Sequence, residues 1–274
     1  MTFNRNIELV ETIYGRFYCW QGDLITKQLR RFSAHTRNEL SMIESVVEEG
    51  DTILDIGAHI GTFSIPFSFF NKRKGAIYAF EADPDNYALL LKNIQANNLE
   101  DVISAENAVV SETTGSKYAA CLPNNGNSGM YYFKPDVRHS KPKVRSINID
   151  EWHGSLQDRR HINFIKIDVE GAERHILKSC KRLLDQFRPA LYIEINTPAL
   201  RRFESTYQDL EDILLPLGYR FFRNIGPRNS GKNGFKMAAL ASVLDGGGFF
   251  DLLAVHPSDV RFPKRYFDFS RTSV

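Results

Sequence analysis

Two spacings of apolar residues alternate along most of this chain. Short, largely apolar runs at Thr52–Leu54, Ala76–Phe80, Val102–Glu106, Ile162–Asp168 and Ala190–Ile195 have the length and β-branched content of buried strands. Between them apolar residues return every three or four positions. Leu40, Ile43 and Val47 do so up to Glu49, and Tyr87, Leu90, Leu91 and Ile94 follow an Asp83-Pro84 helix start. Ala172, Ile176, Cys180, Leu183 and Leu184 predict one helix from Gly171 to about Gln186, and Tyr207, Leu210, Ile213, Leu214 and Leu217 another over 205–217. A further helix follows Gly61, with Pro66 tolerable only near its first turn. Strands alternating with helices predict an α/β fold with a mostly parallel, doubly wound sheet. The strand-like Tyr219–Phe222 and Leu252–Val255 are expected to close it as an antiparallel last pair.

Two regions break the alternation. Residues 1–35 are aromatic and mixed, with Tyr14, Phe17, Tyr18, Trp20 and Phe32, and read as a cap segment before a main domain over 36–274. Residues 111–150 carry Gly115, the loop Pro123–Gly129, the strand-like Met130–Phe133 and the strand Val144–Ile147. They predict an inserted β-hairpin region, either a cover for a ligand or a surface excursion.

The first core strand runs into Asp55-Ile56-Gly57-Ala58-His59-Ile60-Gly61-Thr62, a glycine turn leading to a helix, which brings backbone N–H groups close to a ligand. A dinucleotide fold needs a second glycine two positions after the first, to make room for a pyrophosphate. Here that position is His59, which speaks against an NAD-linked oxidoreductase. Asp55 instead suits a ligand bearing positive charge and no phosphate, such as S-adenosylmethionine. The next strand ends at Glu81-Ala82, where a carboxylate beside the glycine turn can accept both ribose hydroxyls. The third runs to Asn107-Ala108, the expected adenine edge. Asp55, Gly57, Ala58, His59, Gly61, Thr62, Glu81, Ala82, Asn107, Ala108 and Asp168 are therefore the expected cofactor contacts.

Three blocks together, Asp55–Phe63, Ala79–Pro84 and Phe164–Glu173, resemble the signature of the FkbM-family S-adenosylmethionine-dependent methyltransferases. Leu91–Leu99 and Arg188–Ile195 are similar to the segments that family carries next, so the resemblance covers about residues 36–200. The family usually has Asn where His59 stands and Pro where Ala82 stands. The resemblance implies a Rossmann-like class I methyltransferase fold and O-methylation of a hydroxyl on a sugar, glycan or related metabolite. Such a transfer needs a group at the strand tips to place the acceptor and remove its proton. Asp168 is the first candidate and Glu170 the second.

Composition narrows the partners. Net charge is +2, from 35 basic and 33 acidic residues, which gives no field for nucleic acid. No apolar run reaches membrane-spanning length and no apolar signal core follows Met1. Cys19, Cys121 and Cys180 are scattered and odd in number, which fits a reducing compartment, so a cytoplasmic location is expected. Asp168, Glu170 and Glu194 have the oxygen chemistry of a Mg²⁺ or Mn²⁺ site, but no ligand spacing identifies one and no metal is expected. Gly226–Asn233 approximates a phosphate loop, yet Asn233 stands where a Ser or Thr would bind Mg²⁺. A mobile loop near the acceptor, with Arg228 and Lys232 available to an acidic substrate, is the reading there. Trp20, Trp152, Tyr131 and Tyr132 are candidates to stack on a sugar ring. A non-catalytic methyltransferase-like scaffold is the alternative of a different class.

Overall fold

The computed structural model describes residues 6–121, 132–135, 143–232 and 234–261. A hairpin of β1 (Ile7–Thr12) and β2 (Gly15–Trp20) is followed by α1 (Leu24–Phe32) and α2 (Arg37–Glu44). The alternating part then runs β3 (Ile53–Ile56), α3 (Ser64–Phe70), β4 (Ile77–Glu81), α4 (Pro84–Ala96) and β5 (Ile103–Asn107). It resumes with β10 (Phe164–Ile167), α6 (Glu173–Ser179), α7 (Lys181–Phe187), β11 (Ala190–Asn196), α8 (Thr197–Arg202) and α9 (Tyr207–Leu214). Last come β12 (Arg220–Asn224), β13 (Met237–Leu240) and β14 (Phe249–Val255). Between the two halves lie β6 (Val109–Val110), β7 (Lys117–Cys121), β8 (Tyr132–Pro135), β9 (Lys143–Ile147) and α5 (Ile149–Ser155).

The main sheet has eight strands in the order β13-β12-β14-β11-β10-β3-β4-β5, with β11, β10, β3, β4 and β5 parallel and β14 antiparallel to β11. This is the Rossmann-like methyltransferase arrangement. The chain moves outward from β3 through β4 to β5, then returns to the far side of β3 as β10. That reversal opens a crevice at the C-terminal ends of β3 and β10, where open α/β sheets bind ligands. Helices cover both faces, so every residue of β3 and β10 is buried.

The β1–β2 hairpin is fixed to α4 by side-chain amides. Asn93 accepts the Tyr18 N–H at 2.6 Å and donates to the Tyr18 carbonyl at 3.1 Å, and the Trp20 indole donates to Asn86. Val10, Phe17, Cys19 and Leu29 join the same hydrophobic cluster as Phe67, Leu90 and Phe164.

Several elements differ from the sequence reading. The single helix expected from Gly171 is two, broken at Cys180, whose φ of −117° is not helical. The closing antiparallel pair gains a third strand, β13, paired with β12. Helices α5 and α8 were not foreseen, because each is short and shows less than two turns of periodicity. The inserted region forms a four-stranded sheet, β6-β9-β7-β8; Pro123–Gly129, Met130 and Tyr131 lie outside the described residues. Neither tryptophan is available for stacking on a sugar. Trp20 is buried on Asn86, and Trp152 packs edge-on against Tyr78 and Phe80 while its indole donates to Glu106. Tyr132 packs against Phe203 and lies beneath the Arg202 guanidinium.

Candidate functional site

A cavity of about 340 Å³ lies across the C-terminal ends of β3, β4, β10 and β11. Gly57, His59, Thr62, Glu81, Ala82, Ala108, Asp168 and Glu170, all expected from the sequence, line it. Asp55, Ala58, Gly61 and Asn107 do not.

The glycine turn explains part of this. At Gly57, φ is +80° and an added Cβ would sit 1.8 Å from the Asp168 carbonyl oxygen, so only glycine lets the ends of β3 and β10 approach. Gly57 and Ala58 both donate to the Phe80 carbonyl, His59 donates to Glu81 Oε2 and Gly61 to the Ala58 carbonyl. The expectation that the N–H groups of Gly57, Ala58, His59 and Gly61 face a ligand is therefore corrected: in so tight a turn these four donors are taken within the protein.

Asp55 is corrected in the same way. Its carboxylate is wholly buried, accepts from Ser64 Oγ at 2.5 Å and lies 3.3 Å from Lys166 Nζ. The positive group it faces belongs to the protein. Lys166 also donates to the Gly57 carbonyl at 2.6 Å and lies 3.7 Å from Asp168. Burial opposes its charge, but the Asp55 and Asp168 carboxylates outweigh that and push the ammonium's pKa up. This lysine had no role in the sequence reading, although a lysine inside a strand covered on both faces must be buried and partnered.

Glu81 closes the other side of the turn. Its two oxygens accept the N–H groups of His59 and Asp83, each at 2.7 Å, and each has the capacity to accept a second hydrogen bond. Burial pushes its pKa up to about 7. Asn107 stands behind the lining, donating to the carbonyls of Glu81 and Ala82, and so braces the strand edge.

Opposite, Asp168, Glu170 and Glu194 each bring a carboxylate oxygen within 4.8 Å of the others. Glu170, at a left-handed φ of +56°, is pushed up to about 8 by burial and then by Asp168. Glu194 is raised well above the usual carboxylate range by burial, Asp168 and Asp251. Arg202 lies 3.5 Å from Glu170, and Arg228 lies 2.8 Å from Asp251 and 3.9 Å from Glu194. Among the described residues these three carboxyls are the set that could hold a divalent cation. Glu173 accepts the Gly171 N–H at the turn before α6.

The loop around Arg228 is tied down rather than loose. Its carbonyl accepts from the Asn38 N–H, Asn229 Oδ1 from the Arg37 N–H, and the Ser230 hydroxyl donates to Asn38. His175, read as a surface or packing residue, pairs with Glu112. Sequence reasoning also passed over the wall formed by Leu24, Ile25 and Gln28 of α1 and by His35 and Thr36, since nothing in a single sequence says where an N-terminal segment docks.

The buried acids predict a pH dependence. Burial is the leading cause that raises Glu39 and Glu170 to about 8 and Glu81 and Glu173 to about 7, against 4.5 unfolded. The native state then holds more protons than the unfolded chain up to about pH 8, so stability falls as pH rises through this window. His35, held neutral down to about 3 by burial, has the opposite sign, but only below the unfolded histidine value of 6.5. The urea midpoint of the ligand-free protein is expected to drop between about pH 6.5 and 8.5. A flat or rising midpoint would show these carboxyls to be ionised in the fold.

Comparison with known proteins bears on this site. Residues 55–221, well over half of the chain, match the Methyltransferase FkbM domain. The tRNA(Phe) (4-demethylwyosine(37)-C(7)) aminocarboxypropyltransferase of Methanocaldococcus jannaschii is 31% identical over 94 residues, covering 34% of this chain and 36% of that protein. Methyltransferase 1 of Beauveria bassiana is 25% identical over 145 residues, covering 46% and 57%. The chain thus spans well under two thirds of the length of either relative. Among solved structures, methyltransferase FkbM from Methylobacillus flagellatus superposes with a TM-score of 0.46 at 18% identity, over 76% of this chain and 44% of that one. TYW2 of M. jannaschii in complex with AdoMet does so with 0.48 at 12%, over 93% and 86%. No helix among the described residues is long and apolar enough to cross a membrane. By the extent of the domain match, over the residues that build the glycine turn, Glu81 and the acidic cluster, the chain belongs to the FkbM methyltransferase family.

Proposed function

We propose that the protein moves a methyl group from S-adenosylmethionine to a hydroxyl oxygen of a small molecule, a sugar, glycan or related metabolite. The observation that carries this reading is the meeting of the Gly57 turn and Glu81 on adjacent strands, joined through His59, in one cavity with the Asp168 carboxylate. Glu81 would hold the ribose hydroxyls and Ala108 and Val109 would bound the adenine, which leaves the ends of β3 and β10, at Gly57 and Asp168, for the sulfonium. Bound there, S-adenosylmethionine would supply an electrophilic methyl group and leave as the neutral thioether, so the chain itself has to orient the acceptor hydroxyl and take its proton. The hydroxyl proton passes to Asp168, with Glu170 positioning the acceptor.

Titration calorimetry with S-adenosylmethionine and with NAD tests the cofactor. S-adenosylmethionine is expected to bind and NAD is not. Glu81→Gln, which keeps an oxygen but removes the charge, is expected to weaken cofactor binding about tenfold. Wild-type protein incubated with a cell extract and cofactor labelled in turn on the methyl and on the amino-acid chain tests the transferred group. Methyl label in an acceptor is expected; label from the amino-acid chain alone would overturn the reading in favour of the chemistry named for the archaeal relative.

A further inference from the structure

Away from the acids, the cavity wall has a different chemistry. Gln28 of α1, and His35 and Thr36 in the turn before α2, all line it. Each carries a buried polar atom without a hydrogen-bond partner: Gln28 Oε1, His35 Nδ1 and Thr36 Oγ1. Thr36 is 2% exposed, and although it precedes α2 its hydroxyl makes no capping bond. The first N–H groups of α2 are instead taken by Asn229 and the Arg228 carbonyl. Buried polar groups are nearly always paired, so three on one wall indicate a missing partner that is a ligand.

The place and the charge of this wall identify the ligand part. His35 rests edge-on against Phe63, at 5.9 Å, and Phe63 follows the glycine turn directly. With the ribose at Glu81 and the sulfonium over β3 and β10, this wall is left for what extends beyond the sulfur. A hydroxyl, a primary amide and a neutral imidazole can each donate and accept. Together they match a zwitterion, which needs acceptors for an ammonium and donors for a carboxylate and brings no net charge. The carboxylates at Asp168, Glu170 and Glu194 match only one half of such a group.

We infer that Gln28, His35 and Thr36 form the subsite for the α-amino-acid end of the cofactor. The assignment rests on the S-adenosylmethionine reading and adds to it residues that precede the matched domain. It makes the segment before α2 a determinant of cofactor affinity.

Two probes separate this wall from the rest of the site. S-adenosylhomocysteine carries the amino-acid end, and 5′-methylthioadenosine has the same nucleoside and sulfur without it. Calorimetry on wild type is expected to show tighter binding of the first by tenfold or more. Thr36→Val and His35→Phe are each expected to lower affinity for S-adenosylhomocysteine about tenfold and to leave 5′-methylthioadenosine unchanged, which also reports that the variants are folded. Equal wild-type affinity for the two probes, equal losses for both, or no loss for either in the variants would overturn the assignment. Failure of wild type to bind either would overturn the cofactor reading itself and this subsite with it.

Discussion

Asp168→Asn is expected to lower kcat for methyl transfer by about 10²–10³-fold with cofactor binding retained. The substitution keeps the shape of the side chain and removes only its capacity to take a proton. Three carboxyls line the cavity together, but they are not equivalent. Glu170 and Glu194 side chains are 11% exposed and held toward the protonated form, first by burial and then by Asp168. Asp168 is 31% exposed, with the Lys166 ammonium 3.7 Å away. It is the carboxyl with both access and a supporting cation. Glu170→Gln is expected to act mainly through acceptor KM, because that group positions. The check is the rate of S-adenosylhomocysteine formation alongside cofactor titration. Undiminished kcat in Asp168→Asn would remove it as the base, whereas no S-adenosylhomocysteine formation by wild type in the presence of a cell extract would favour the non-catalytic scaffold.

The second large effect is on stability. Lys166→Met is expected to cost about 3–5 kcal/mol, the range for removing one partner of a buried pair. The ammonium is almost fully buried and serves three groups at once: Asp55, Asp168 and the Gly57 carbonyl. Methionine fills similar volume, so the loss reports an uncompensated Asp55 charge and an orphaned carbonyl rather than a cavity. Adding Asp55→Asn is expected to recover part of it, since the stranded charge is then gone. Urea denaturation of the single and double variants measures both. A cost below about 1 kcal/mol would mean that Asp55 takes up a proton or finds solvent.

The sequence alone marks where several of the cavity's residues lie. Gly57 with φ near +80° is what the strand-to-helix turn required, and Glu81 at the end of the next strand is where the parallel order placed it. What failed was the direction of groups. The residue pattern alone points four N–H donors of the turn and the Asp55 carboxylate at a ligand, yet they close on Phe80, Glu81, Ala58, Ser64 and Lys166. Spacing shows which residues share a strand end, but not which partner each polar atom finds there. The single helix expected over Gly171–Gln186 failed for a related reason, because the apolar period continues through Cys180 while the backbone does not.

The sequence by itself determined the strand order's raw material, the glycine turn, the acid at the end of the second core strand and the acidic block after β10, since these follow from local periodicity and from residue types that tolerate few conformations. Only the tertiary structure decided that Lys166 is the internal counter-ion, that Arg228 belongs to a tethered loop paired with Asp251, and that Gln28, His35 and Thr36 complete the cavity. Those are contacts between residues far apart in the chain. Their energies depend on distance and burial, which the linear order of residues does not carry.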